Sequence, residues 1–288
     1  MKHALDDLER RVADALVTDD RTEIDVIGYG EISTVLRLTV DEKSFACKRL
    51  PPFPEDSLHG YRDACIAYLD ALIDRCVAIP ASTIEVATHG SSEIVYCIQP
   101  IEQRLVVDHL HDAGPDEIAD VAHRLVSVVA GVIDDRLGLD AQISNWAIRP
   151  DGSFAYIDVT TPLIRDAAGE EMLDTDLFLA SLPALLRPLV RRFLLHEILS
   201  HYYDPRAALL DLVGNLKKER LEHTISVFLA ATNEIVDPPI TVKEIDRYYR
   251  LDALMWEVLQ RLRRADRWWQ RTVRRRGYPF LLPGKVDR

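Results

Sequence analysis

The chain has 288 residues, 48% of them hydrophobic, and a net charge of −12 at pH 7. That length can bury a sizeable core as one large domain or two lobes, and the acidic balance argues against general nucleic-acid binding. No apolar run approaches the ~18 residues of a bilayer span. The start, Met1-Lys2-His3-Ala4-Leu5-Asp6-Asp7, turns acidic at once and builds no export signal, so a cytoplasmic protein without a membrane span is expected. The four cysteines, Cys47, Cys65, Cys76 and Cys97, lack C-x-x-C spacing. They read as reduced, small apolar residues, not as a zinc site or a disulfide framework.

Residues 3–17 form an amphipathic pattern with Leu5, Leu8, Val12 and Leu16 on one helical face. Residues 23–28, 32–40 and 44–50 then read as antiparallel strands. Thr34, Leu36, Leu38 and Val40 alternate on one face of the second, and Asp41-Glu42-Lys43 makes a hairpin turn. Pro51, Pro52 and Pro54 stop the sheet, and helical periodicity returns over 57–77. Two further strands, 83–88 and 93–99, flank His89-Gly90-Ser91-Ser92. Gln99-Pro100-Ile101 leaves the sheet as a hinge would. A short helix is expected over 103–110. A long one starts at Pro115, with proline at its first position and acids in its first turn, and runs to about Arg136. Two short strands around Pro150-Asp151-Gly152-Ser153 follow, and 171–276 is almost all helical in pattern.

Chemistry concentrates in four places. Gly28-Tyr29-Gly30-Glu31-Ile32-Ser33 is a glycine-rich turn between strands, where backbone N–H groups can approach phosphate. Lys48 ends the third strand after Phe45-Ala46-Cys47. Asp140 and Asn145 stand in D-x-x-x-x-N spacing, and Asp158 lies thirteen residues after Asn145. A carboxylate that orients an attacking hydroxyl, with an amide and a second carboxylate on Mg²⁺, is what phosphoryl transfer from ATP requires.

The order glycine-rich loop, lysine, D-x-x-x-x-N, aspartate resembles the protein-kinase-like superfamily, most nearly its aminoglycoside and small-molecule phosphotransferase branch, over roughly residues 24–160. The resemblance implies an α+β, two-lobed fold. It has an N-terminal helix (1–20), a small lobe of five strands and one helix (21–100) and a mainly helical lobe (101–288) that holds a catalytic loop at 138–145 and a metal-site segment at 158–162. It implies ATP and Mg²⁺ as cofactors. Gly28, Gly30, Ser33, Lys48, Gln99 and Ile101 would line the nucleotide, Asn145 and Asp158 would hold the metal, and Asp140 would act on the acceptor.

Several residues depart from the family pattern. Ser33 stands in place of a third glycine, and Glu31 adds a negative charge to a loop meant for phosphates. The helix over 57–77 has no glutamate to pair with Lys48, which leaves Asp63, Asp70 and Asp74, with Asp63 closest to the expected separation, or Glu55 and Asp56 before the helix. Gly138-Leu139 replaces the usual histidine-containing pair before the base. Gln142 stands where a lysine often steadies the γ-phosphate, and Arg165 is read either as a surface arginine or as a substitute for that lysine. Asp158 is followed by Val159-Thr160-Thr161-Pro162 and no Ala-Pro-Glu signature, which favours a small-molecule acceptor over a protein. The expected activity is ATP- and Mg²⁺-dependent phosphorylation of a hydroxyl on a small molecule. The alternative is a pseudokinase that binds nucleotide or a protein partner, and nucleotidyl transfer is a third reading. Residues 261–276 carry eight arginines and one acid, a net +7 that leaves −19 on the rest. They are a candidate arm for an acidic partner, or a closing helix that pairs with the acidic remainder.

Overall fold

The computed structural model of the protein describes residues 1–30, 33–52, 57–89, 92–180, 182–183 and 186–282. Helix α1 (Lys2–Thr18) precedes strands β1 (Val26–Tyr29), β2 (Thr34–Val40) and β3 (Lys43–Arg49). Helix α2 (Leu58–Asp74) leads to β4 (Thr83–His89) and β5 (Ser92–Pro100). The five strands form one antiparallel sheet in the order β1-β2-β3-β5-β4. The strand expected over 32–40 is observed from Thr34, and Ile32, Gly90 and Ser91 lie outside the described residues.

Both faces of this sheet are covered, and the sequence shows why. On β5, Ile94, Tyr96 and Ile98 point one way and pack with Leu36, Leu38 and Cys47 against Leu5, Leu8 and Val12 of α1. Val95 and Cys97 point the other way, toward Tyr61, Cys65, Tyr68 and Leu72 of α2. A strand buried on both faces must be apolar at successive positions, as Ile94-Val95-Tyr96-Cys97-Ile98 is. Each fully buried side chain of this size contributes about 1.5–3 kcal/mol of transfer free energy. One charge pair interrupts the α1 face. Arg49 donates to both carboxylate oxygens of Glu9, at 2.7 and 2.8 Å, and Tyr96 Oη donates to Glu9 at 2.6 Å.

Helices α3 (Val106–Asp112) and α4 (Pro115–Val132) follow. On α4, Ile118, Val121, Ala122, Leu125, Val126, Val129 and Val132 form the buried face, and Glu117 reaches back to accept the Gly114 N–H. The helix stops a turn before the expected Arg136. The Asp134 carboxylate accepts the N–H groups of Arg136 and Leu137, and such a local turn competes with helix continuation. The short helix likewise starts at Val106, not at 103. The hairpin β6 (Trp146–Ile148) and β7 (Phe154–Tyr156) comes next, then helices α5 (Thr175–Ala180), α6 (Arg187–Phe193), α7 (Leu195–Ser200), α8 (Pro205–Lys218), α9 (Ile225–Asn233) and α10 (Val242–Thr272). The largest core joins α4, α8 and α9 to the hairpin and to α2.

The chain end returns to the sheet. Arg267 of α10 pairs with Asp19 at 2.7 Å, and Arg271 donates to the Leu16 carbonyl. Beyond the helix, Arg49 donates to Pro279 O, Arg21 donates to Leu282 O, and Leu281 joins the core under α1. Among the described residues no helix is long and apolar enough to cross a membrane.

Candidate active site

Lys48 and Arg49 are neighbours on β3, so their side chains leave opposite faces of the sheet. Arg49 goes to α1, and Lys48 goes to the α2 side, where its Nζ lies 2.5 Å from Asp158 Oδ1. Both side chains are mostly buried, at 15% and 17% exposed, which strengthens their attraction over that of a surface pair. Asp158 is placed by the hairpin. Tyr156 N–H donates to Ala78 O just after α2, and Ile157 N–H donates to Asn145 O. Thr160 Oγ1 donates to the Asp158 carboxylate at 3.2 Å, and the buried Tyr61 hydroxyl donates to Thr160 O.

The segment 138–145 is pinned from two sides. Gly138 N–H donates to Leu163 O and Leu139 N–H to Tyr202 O, while the Tyr68 hydroxyl donates to Gly138 O at 3.2 Å. A Cβ on Gly138 would lie 3.0 Å from Tyr202 O and 3.2 Å from Leu163 Cβ, so this close approach favours glycine. Tyr68 and these backbone bonds therefore hold the loop in place. Asp140 emerges half-buried, with its Oδ1 accepting the Gln142 N–H at 3.3 Å. Asn145 Nδ2 donates to Asp140 O at 3.2 Å, which leaves the amide oxygen as the atom to offer a cation. Burial raises the hydroxyl pKa of both Tyr68 and Tyr156, and the nearby carboxylates of Asp158 and Asp140 push in the same direction.

Gly30 lies over this cluster. A Cβ there would sit 2.7 Å from Ser33 Oγ and 3.8 Å from Lys48 Cε, and Gly30 N–H closes the turn on Ser33 O at 3.0 Å. Gly28 sits at the register irregularity between β1 and β2. Ser33 is buried, with no hydrogen-bond partner for its hydroxyl. Gln99 is buried and donates to Ser82 Oγ at 2.9 Å, and Ile101 is half-buried just past the end of β5.

Two expectations change. Asp63 is exposed on α2, two residues from the inward Tyr61 and so about 200° around the helix. Lys48 takes Asp158 as its carboxylate instead, and the inward face of α2 is aromatic and thiol. Glu55, Asp56 and Glu31 lie outside the described residues. Arg165 is committed elsewhere: it pairs with Glu171 at 2.8 Å and stacks over Tyr203, 3.7 Å from the ring centre. The cation that reaches Gln142 is Lys218 at the end of α8, whose Nζ donates to Gln142 Oε1 at 3.2 Å. No local motif marks Lys218; only the packing of α8 on this loop brings it there. Burial pushes the Cys47, Cys65 and Cys97 thiols up to about 12, whereas Cys76 is exposed.

A model of DUF6206, a family of unknown function, matches residues 7–267. The chain belongs to the DUF6206 family. No curated protein matches it. In this DUF6206 chain the matched span takes in every residue of the cluster, from Gly28 to Lys218. Among the described residues no group of three or more His, Cys, Asp or Glu is arranged to hold a metal. Asn145 and Asp158 offer an amide oxygen and a carboxylate, the hard donors that suit Mg²⁺ when substrate phosphates complete its shell.

Proposed function

We propose that this protein transfers a phosphoryl group from ATP to a hydroxyl of a small molecule. The contact of Lys48 with Asp158, beneath Gly30 and beside the Asp140–Asn145 loop, carries the proposal most directly. A lysine on the third strand, a carboxylate after the hairpin and a glycine turn above them are the groups that cradle a nucleotide triphosphate. The strand order β1-β2-β3-β5-β4, with α2 between β3 and β4, supports a kinase-like small lobe. Lys48 would hold phosphate oxygens, and Gly30 and Ser33 would lie above them. Asn145 and Asp158 would hold Mg²⁺, which neutralises charge on the phosphates when bound. Asp140 would orient the acceptor hydroxyl and take its proton as that oxygen attacks the γ-phosphorus and ADP leaves. Lys218, through Gln142, would supply the cation that the loop itself lacks.

A pseudokinase is the second reading, and one observation favours it. No acid of α2 holds Lys48; the lysine sits directly on the carboxylate that would bind metal. A melting experiment with Mg·ATP tests both. Ligand at 100 times its dissociation constant adds about 2.7 kcal/mol of stability, and Asp158→Asn should abolish that rise. No rise at millimolar Mg·ATP, with the protein folded, rules out the phosphotransferase and the nucleotide-binding pseudokinase, and leaves only a pseudokinase that acts through a protein partner. ADP release then separates them. Asp140→Asn should leave the melting shift intact and lower turnover by at least the ~10²-fold of a lost general base. Nucleotide binding with background release from wild type favours the pseudokinase.

A further inference from the structure

Helix α10 turns an apolar face to solvent. It is 31 residues long, and its buried residues are Ile245, Gln260 and Arg263. The face opposite Gln260 and Arg263 carries Leu251, Met255, Val258, Leu262, Ala265 and Trp269, all exposed. Met255 is 61% exposed, and even Leu262 is 37% exposed. A surface helix of a monomer ordinarily shows the reverse pattern, polar outward and apolar inward. The six residues follow one another at steps of four, three, four, three and four, the spacing of a seam shared by two helices. The stripe is about 27 Å long at 1.5 Å per residue, and contiguous exposed apolar surface on this scale marks an interaction site.

We propose that this stripe binds the same stripe of a second copy of the chain, with the two α10 helices antiparallel about a two-fold axis at Gln260. The spacing is symmetric about that residue. Leu251 then faces Trp269 of the second copy, Met255 faces Ala265, and Val258 faces Leu262. The interface is self-complementary, as a two-fold contact must be. Charge selects the antiparallel sense. Residues 261–276 carry +7 and the rest of the chain −19. Parallel helices would stack the two basic ends, whereas antiparallel helices lay each basic end along residues 242–259 of the other copy, where four acids stand with three bases.

Sedimentation velocity on the full chain, from micromolar to sub-millimolar, is expected to show a species of twice the 32.7 kDa chain mass. Met255→Glu and Leu262→Glu should each return it to monomer. Both sites are exposed in the single chain, so circular dichroism should stay that of wild type, and the melting temperature should match wild type diluted to where it is monomeric. In a Cys76→Ser background, Met255→Cys with Ala265→Cys should cross-link two chains on mild oxidation. Val17→Cys, exposed on α1, should not. A wild type that stays monomeric throughout overturns the proposal, as does a dimer that survives Leu262→Glu. So does a monomer that binds phosphatidylserine vesicles, but not phosphatidylcholine vesicles, through this stripe: the arginines and Trp268 would then be serving a bilayer surface.

Discussion

Lys48 and Asp158, 110 residues apart in the chain, meet at 2.5 Å between the five-stranded sheet and the β6–β7 hairpin. The pair joins the two parts of the molecule that the proposed chemistry needs together: the strand that would hold phosphate and the segment that would hold metal.

Removing either partner leaves a mostly buried charge without its mate. Lys48→Met and Asp158→Asn are each expected to lower stability by about 1–3 kcal/mol. The double variant should lose less than the sum, because groups in direct contact are coupled. Urea denaturation of the four proteins measures the cycle. Additive losses would mean that the contact does not exist in solution.

Lys218 is expected to matter for turnover more than for folding. Its ammonium is half-buried and bonded to Gln142 and paired with Glu219 at 3.6 Å. Under the phosphotransferase proposal, Lys218→Met should lower ADP release about 10²-fold, the effect of removing one donor to developing charge. Lys218→Arg should keep part of the rate. Unchanged release from Lys218→Met removes the residue from the site.

The Glu9–Arg49 pair tests how α1 is fastened. With side chains only 3% and 7% exposed, breaking it by Glu9→Gln or Arg49→Met should cost about 3–5 kcal/mol. Replacing both at once, Glu9→Leu with Arg49→Met, should recover much of that loss, because no unpaired buried charge remains. Equilibrium denaturation reads both outcomes. A small loss from either single change would show that α1 is held by its leucines alone.

Glu244 gives a pH dependence of defined sign. The Arg206 guanidinium, then the N–H and hydroxyl of Thr241, hold its carboxyl at about 2, below the ordinary 4.5. A depressed folded-state pKa stabilises above the unfolded value and is lost as pH falls through the folded one. The difference in urea midpoint between wild type and Glu244→Gln should therefore be full at pH 7 and shrink between pH 4.5 and 2. A difference that persists undiminished at the acid end would show that the charge is not what stabilises the α10 start.

Much of the fold was legible because local periodicity reports which way side chains point. The alternation of Thr34, Leu36 and Leu38, the stripe from Ile118 to Val132 and the order of strands around α2 all follow from neighbours in sequence. So do the placement of Lys48 opposite Arg49 and the hairpin that carries Asp158. Asp63 shows where spacing misleads. It sits at the right separation from Lys48 but at the wrong phase of its helix, and phase decides which residue faces the sheet.

What only the tertiary structure decided involves partners far apart in the chain. Lys218 reaches Gln142 from 76 residues away, Tyr68 supports Gly138 from 70 residues away, and Arg49 joins Glu9 to the returning chain end at Pro279. Arg165, which the sequence left between a surface residue and a substitute site cation, is neither: it is held by Glu171 and Tyr203. The arginines of α10 illustrate both sides. Their number is plain in the sequence. That Arg263 is buried, Arg267 binds Asp19 and the stripe faces outward depends on how α10 docks, because an amphipathic pattern defines a face and packing chooses what that face meets.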